Sequence, residues 1–174
     1  KGGTDAMLVK LDTNGGVRWV KQFGGAGDDS KDAAMAMGID RNGNALMVGT
    51  FLDAASLDGV DYFTEGGAED FFVAKYSPAG ERLWITTSHC TERMFINAVK
   101  ADNVGNVILA GGYKGVLTLG RDSFVNDRGN LEPLLCKLNP NGEFLWSRVG
   151  VGENQYADFF YAVGTDKIGN VYSA

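Results

Sequence analysis

The chain has 174 residues and a mass of 18.6 kDa, enough for one ordinary domain with a sizeable core. With 44% apolar residues, 25 glycines and only short apolar runs, it suits many short strands and tight turns and nearly excludes long helices. A net charge of −6, spread over 22 acidic and 16 basic residues without a basic cluster, argues against nucleic acid as a partner, and no stretch approaches the roughly 18 apolar residues of a membrane-spanning helix.

In chain order, β-branched and aromatic runs predict strands at about 5 to 11, 17 to 23, 33 to 40 and 45 to 51, each pair separated by turn residues. The segment after them, about 52 to 69, is polar and carries Gly59, Gly66 and Gly67, which marks surface loops or edge strands. The pattern then starts again. Asp5-Ala6-Met7-Leu8-Val9-Lys10-Leu11 recurs as Asp70-Phe71-Phe72-Val73-Ala74-Lys75-Tyr76 and as Glu132-Pro133-Leu134-Leu135-Cys136-Lys137-Leu138. A second long segment, about 114 to 131, separates the later strands as the first does.

Three anchors hold one phase through all copies. The lysines Lys10, Lys75 and Lys137 are each followed nine residues later by a tryptophan, Trp19, Trp84 and Trp146, across a glycine-containing turn. The motif Asp-x-x-Gly-Asn stands at Asp40 to Asn44, Asp102 to Asn106 and Asp166 to Asn170. Gly43, Gly105 and Gly169, with Asn44, Asn106 and Asn170, read as hairpin residues, because such turns need positive φ. The expected fold is therefore all-β: a β-propeller fragment of four-stranded antiparallel blades, about 63 residues per repeat, with just under three repeats present. Each unit has two apolar faces that only its neighbours can bury.

The runs Asp70 to Tyr76, Gly142-Glu143-Phe144-Leu145-Trp146, Phe23-Gly24-Gly25-Ala26-Gly27-Asp28-Asp29-Ser30 and Gly105 to Gly111 resemble the SBBP, or β-propeller, repeat over essentially the whole chain. The glycine-rich run of the first repeat becomes Ser88-His89-Cys90-Thr91-Glu92-Arg93 in the second and keeps only Gly150, Gly152 and Glu153 in the third. The resemblance implies a propeller, often in large secreted or surface-anchored proteins beside adhesion-type modules, and no single activity. It also implies the phasing: an outer strand pair at about 1–31, a blade at about 32–94, a blade at about 95–157 and an inner pair at about 158–174. On that phasing the strand before each Asp-x-x-Gly-Asn turn is innermost, where Ala34, Ala36, Gly38, Ala98, Ala101, Ala162 and Gly164 suit a crowded axis.

Candidate chemistry is sparse. The tryptophans are similar to the docking tryptophans of quinone-dependent dehydrogenase repeats, but a Trp also fixes sheet-on-sheet packing by burying on the order of 200 Å², and the structural role is expected. Asp40-Arg41-Asn42-Gly43-Asn44 resembles the start of a calcium loop, yet Val104 and Ile168 replace the second ligand in the other copies, so a turn is expected and no metal. Asp28-Asp29 with Asp32, and Glu69-Asp70, are the nearest carboxylate groups. Asp5 and Asp70 share a repeat position, which favours bonding to a loop amide over catalysis. His89 is expected in a loop, and Cys90 and Cys136 as free, partly buried thiols; a bridge between repeats is the alternative.

No cofactor, metal or catalytic residue is assigned. The expected function is a noncatalytic binding or structural module of a larger extracellular or cell-surface protein, touching protein or glycan through loops and needing the remaining blades of the same propeller as partners. Two alternatives stand beside it. One is a polysaccharide-acting hydrolase or lyase with acidic residues and aromatics such as Trp19, Tyr62, Tyr113 and Tyr156 at the axis; the other is an architectural subunit of a filament or surface layer.

Overall fold

The computed structural model describes residues 5–25, 32–64, 68–150 and 156–174. Among them it is all-β, with sixteen strands, no helix, and antiparallel pairing throughout. In chain order the strands are β1 (Ala6–Leu11), β2 (Val17–Gly24), β3 (Ala33–Ile39), β4 (Ala45–Phe51), β5 (Ala54–Leu57), β6 (Val60–Phe63), β7 (Asp70–Tyr76), β8 (Arg82–Thr87), β9 (His89–Cys90), β10 (Arg93–Ala101), β11 (Val107–Leu119), β12 (Asp122–Asn126), β13 (Glu132–Leu138), β14 (Phe144–Val149), β15 (Val163–Thr165) and β16 (Val171–Ser173). The first four stand within a residue or so of the expected runs.

Two meanders, β3-β4-β7-β8 and β10-β11-β13-β14, repeat one topology. The pair β1-β2 corresponds to the last two strands of that meander, and β15-β16 to the first two. The strand before each Asp-x-x-Gly-Asn turn is an edge strand, and β3 and β10 pack against each other, with Gly38 placed so that a Cβ would meet Val99 at 3.4 Å.

The long segments are hairpins. β5-β6 reaches back from the second unit to the end of β2, pairing Phe23 with Leu57. The extension of β11 with β12 repeats the device and pairs Leu117 with Cys90 in β9. This corrects the expectation for His89: it lies in a strand, opposite Thr118, because the hairpin recruits the chain beyond β8.

The continuous apolar runs of β4 and β7 have a direct cause, since both strands are buried on two faces. Ala45, Met47 and Phe51 with Phe72, Ala74 and Tyr76 face β1-β2, while Leu46 and Val48 with Phe71 and Val73 face the β10 to β14 sheet. The first seam is aromatic: Phe23 stacks on Phe72 at 3.9 Å between centroids and meets Phe51 edge-on at 5.3 Å. Full burial of one such ring is worth about 2 kcal/mol.

Gly49 and Gly111 are set by a bulge in the first strand of each meander. The register slips between Ala34 and Ala36 and again between Ile96 and Ala98, which drives the Ala33 and Phe95 carbonyls to 2.0 Å from where a Cβ would sit.

Candidate functional site

The repeat anchors occupy the seams and turns. In each Asp-x-x-Gly-Asn turn the Asp Oδ1 accepts the amides two and four residues on, and Oδ2 accepts the Asn side chain; for Asp40 the distances are 2.9, 2.9 and 2.8 Å. Asp102 with Asn106, and Asp166 with Asn170, do the same. Gly43, Gly105 and Gly169 have φ of 78°, 88° and 94°, the left-handed region.

The recurring lysine completes the motif. Lys75 Nζ lies 2.9 Å from Asp40 Oδ2, and Lys137 Nζ 2.9 Å from Asp102 Oδ2, with every one of these side chains nearly buried. Burial pushes the Asp40 carboxyl up, but donors from Asn44, Lys75 and the turn amides more than offset it, and its pKa lies below the usual value. At Asp102, Lys137 and Asn106 act in the same way. The carboxylate oxygens that a calcium ion would require are thus engaged by the fold.

The tryptophans link one unit to the next. Trp19 Nε1 donates to Pro78 O at 3.2 Å and Trp84 Nε1 to Pro140 O at 2.8 Å. Gly80 and Gly142 make room for these rings, since a Cβ on either would come within 2.9 Å of the indole. Trp146 is half-buried with Arg148 over its ring at 6.0 Å, and its Nε1 meets no acceptor among the described residues.

The remaining candidates are scattered. Asp70 Oδ1 accepts the Cys90 amide at 2.6 Å, and its other oxygen stands 3.8 Å from His89 Nδ1. Asp32 is fully buried, accepting the Gly25 and Leu52 amides; burial, with Asp5 nearby, raises its pKa over the lowering effect of those bonds. Asp28 and Asp29 lie outside the described residues. Cys90 and Cys136 are free and buried, and burial raises both thiols, Cys136 to about 12. The aromatics proposed for an axial site are dispersed: Tyr113 is buried in the second seam, Tyr62 packs beside Phe23, and Tyr156 stands exposed.

One feature breaks the repeat. At one rim of the first seam, Lys21 pairs with Asp58 at 3.2 Å and Arg82 donates to Leu57 O at 2.9 Å, so charged side chains bridge the gap between sheets. The same three positions in the second seam hold Thr86, Gly120 and Phe144. There the rim is a groove of about 650 Å³, bounded by Thr86, Thr87, Leu119, Gly120, Arg121, Asp122, Glu143, Phe144 and Leu145. The Phe144 ring is fixed edge-on against Phe71 at 6.4 Å. The groove offers one aromatic wall, the Thr87 hydroxyl and a fringe of both charges, while the Thr86 hydroxyl donates across the seam to Gly142 O at 2.6 Å. Its carboxylates Asp122 and Glu143 are exposed, and Glu143 accepts from Asn139, so neither sits in the dry surroundings that make a carboxyl a general acid.

No family model matches the chain, and no curated protein is significantly similar to it. The groove was not legible without the seam geometry. Its only trace in the sequence is the change from Lys21, Asp58 and Arg82 to Thr86, Gly120 and Phe144 at repeat-equivalent positions.

Proposed function

We propose that the chain is a run of β-propeller blades of the SBBP type, serving as a noncatalytic binding module of a larger extracellular or cell-surface protein. In this reading the four-stranded meanders stack radially, and β3, β10 and β15 line the axis. The ligand is protein or glycan, and the groove favours a short saccharide. A sugar face stacks on an aromatic ring while its hydroxyls bond to the hydroxyl, carboxylate and guanidinium groups around it.

The observation that carries the reading is the contrast between the two seams. The repeat anchors are consumed by the fold, as Asp–Lys pairs and Trp-to-carbonyl bonds, whereas the groove lies where the repeat has lost its bridging charges. Binding surfaces on repetitive scaffolds arise by such local departures.

The test is a screen of immobilised glycans and extracellular-matrix proteins with the wild-type chain and with Phe144→Arg, which restores the Arg82-type bridge. Binding by the wild type, lost in the variant while circular dichroism shows the β fold retained, is expected; the loss of the Phe144 packing on Phe71 lowers the melting midpoint without unfolding the chain at the assay temperature. Failure of the wild type to bind any of them, or equal binding by Phe144→Arg, would overturn the assignment.

A further inference from the structure

The groove at the rim of the second seam has a filled counterpart one repeat earlier, and the difference between the two defines what the groove lacks. Its walls are β8, the turn between β11 and β12, and β14, all within the two complete meanders and the hairpin they carry, so the unpaired strands β1 and β16 have no part in it.

In the first seam two cations of the chain itself close the rim. Arg82 Nη1 donates to Leu57 O at 2.9 Å, and Lys21 Nζ meets Asp58 at 3.2 Å. The strand registers fix the equivalents: Gly24 opposite Ser56 corresponds to His89 opposite Thr118, so Leu119 stands where Leu57 does and Gly120 where Asp58 does. In the second seam Thr86 and Phe144 replace both cations, and among the described residues no side chain donates to Leu119 O.

The charges shift accordingly. At the first rim Lys21 and Arg82 balance Asp58 and Glu81, whereas at the second Arg121 alone stands against Asp122 and Glu143, which leaves one negative charge uncompensated. Both carboxylates are exposed, Glu143 accepts from the Asn139 side chain, and no cation among the described residues pairs with either. Gly120, at φ 62°, lets the turn lie against the ring, since a Cβ there would stand 3.2 Å from Phe144 Cδ2. The Leu119 carbonyl and the Asp122 carboxylate therefore flank the aromatic wall.

We propose that the groove takes an amino sugar whose amine is free and protonated. The ammonium supplies the missing cation: it donates to Leu119 O as Arg82 donates to Leu57 O, and it pairs with Asp122, while the apolar face of the sugar lies on Phe144. Three short segments line the groove, and its volume of about 650 Å³ falls in the range of about 300–1,000 Å³ usual for small-ligand sites, which suits a sugar ring better than an extended peptide. The inference rests on the reading of this groove as a saccharide site and narrows that reading to cationic sugars.

The experiment is calorimetric titration of the purified chain with a chitosan tetramer, its fully N-acetylated counterpart and an oligo-arginine peptide, at a pH between the carboxylate and amine pKa values. Chitosan is expected to bind about tenfold tighter than the acetylated sugar, because acetylation removes the charge and its charge-assisted hydrogen bond. The double variant Asp122→Asn with Glu143→Gln should bring the two sugars within about twofold of each other. Asp61→Asn, on β6 outside the groove, should leave the preference intact. All three side chains are exposed, so the variants keep the fold, which circular dichroism checks. Equal binding of the two sugars by the wild type overturns the inference and leaves the saccharide reading standing, whereas binding of neither defeats the saccharide reading with it. A preference for chitosan that survives in the double variant also overturns the inference, because the attraction then comes from the chain's net charge of −6. Tighter binding of the peptide than of chitosan, lost in the double variant, gives the groove to a protein partner and overturns it as well.

Discussion

Replacing Lys75 by Met removes the cation from a buried pair while keeping most of the stem that packs beside Trp84. Asp40 Oδ2 then loses its 2.9 Å partner at a site where the carboxylate side chain is only 1% exposed. Breaking one side of a buried pair costs about 3–5 kcal/mol. The lower end applies here, because Asp40 keeps the Asn42 and Asn44 amides and the Asn44 side chain. At roughly 2–4 °C per kcal/mol for a chain of this size, a loss of about 3 kcal/mol lowers the midpoint by about 6–12 °C. Thermal and urea melts followed by circular dichroism would measure it in Lys75→Met, Asp40→Asn and the double variant. The double variant should be less destabilised than the sum of the singles, by about 1–3 kcal/mol. The pH dependence has a definite sign. Since the folded pKa of Asp40 is depressed, its contribution is complete above its ordinary carboxyl pKa and is lost as pH falls through the folded value. The gap between wild type and Lys75→Met should therefore shrink in acid. Additive single variants, each costing under about 0.5 kcal/mol, would refute the role given to the pair.

Three other outcomes follow from the same geometry. Gly49→Ala places a methyl 2.0 Å from the Ala33 carbonyl, so a loss of about 4 kcal/mol or outright failure to fold is expected in a urea melt, whereas Gly43→Ala, with only positive φ against it, should cost about 1 kcal/mol. Trp84→Phe removes the bond to Pro140 O and should cost about 1–2 kcal/mol; Trp146→Phe, which loses no bond among the described residues, should cost measurably less. Asp32 has a raised folded pKa, so its favourable contribution is present below the unfolded carboxyl pKa and fades as pH rises through the folded value. Melts of Asp32→Asn against wild type should accordingly shift in favour of the variant as pH rises above the ordinary carboxyl pKa.

The strand pattern was readable because alternation, turn glycines and the recurring tryptophan all repeat in phase, and β1 to β4 lie where that pattern put them. Lys75 and Asp40 are both visible in sequence as anchors, but their pairing is not, since they stand on separate strands and turns. The signal was available all the same: Asp40 to Asp102 and Lys75 to Lys137 are both steps of 62 residues, as expected of residues that touch. The segments that form β5-β6 and β11-β12 read as surface loops or edge strands, because they are short, glycine-flanked and exposed on one side, and only their pairing to the preceding unit decides between the two. His89 was misplaced for that reason. The rim groove stayed hidden because it consists of side chains that are missing relative to the first seam.

The most direct test of the account is an experimental structure of the protein in its solution assembly, read at the junctions between units. The account expects a ring in which every Trp of this repeat donates to the turn carbonyl of the next unit and every Asp-x-x-Gly-Asn aspartate meets a lysine, with β3, β10 and β15 around the axis. Sheets stacked in an open linear array, or units joined with these anchors exposed to solvent, would contradict it.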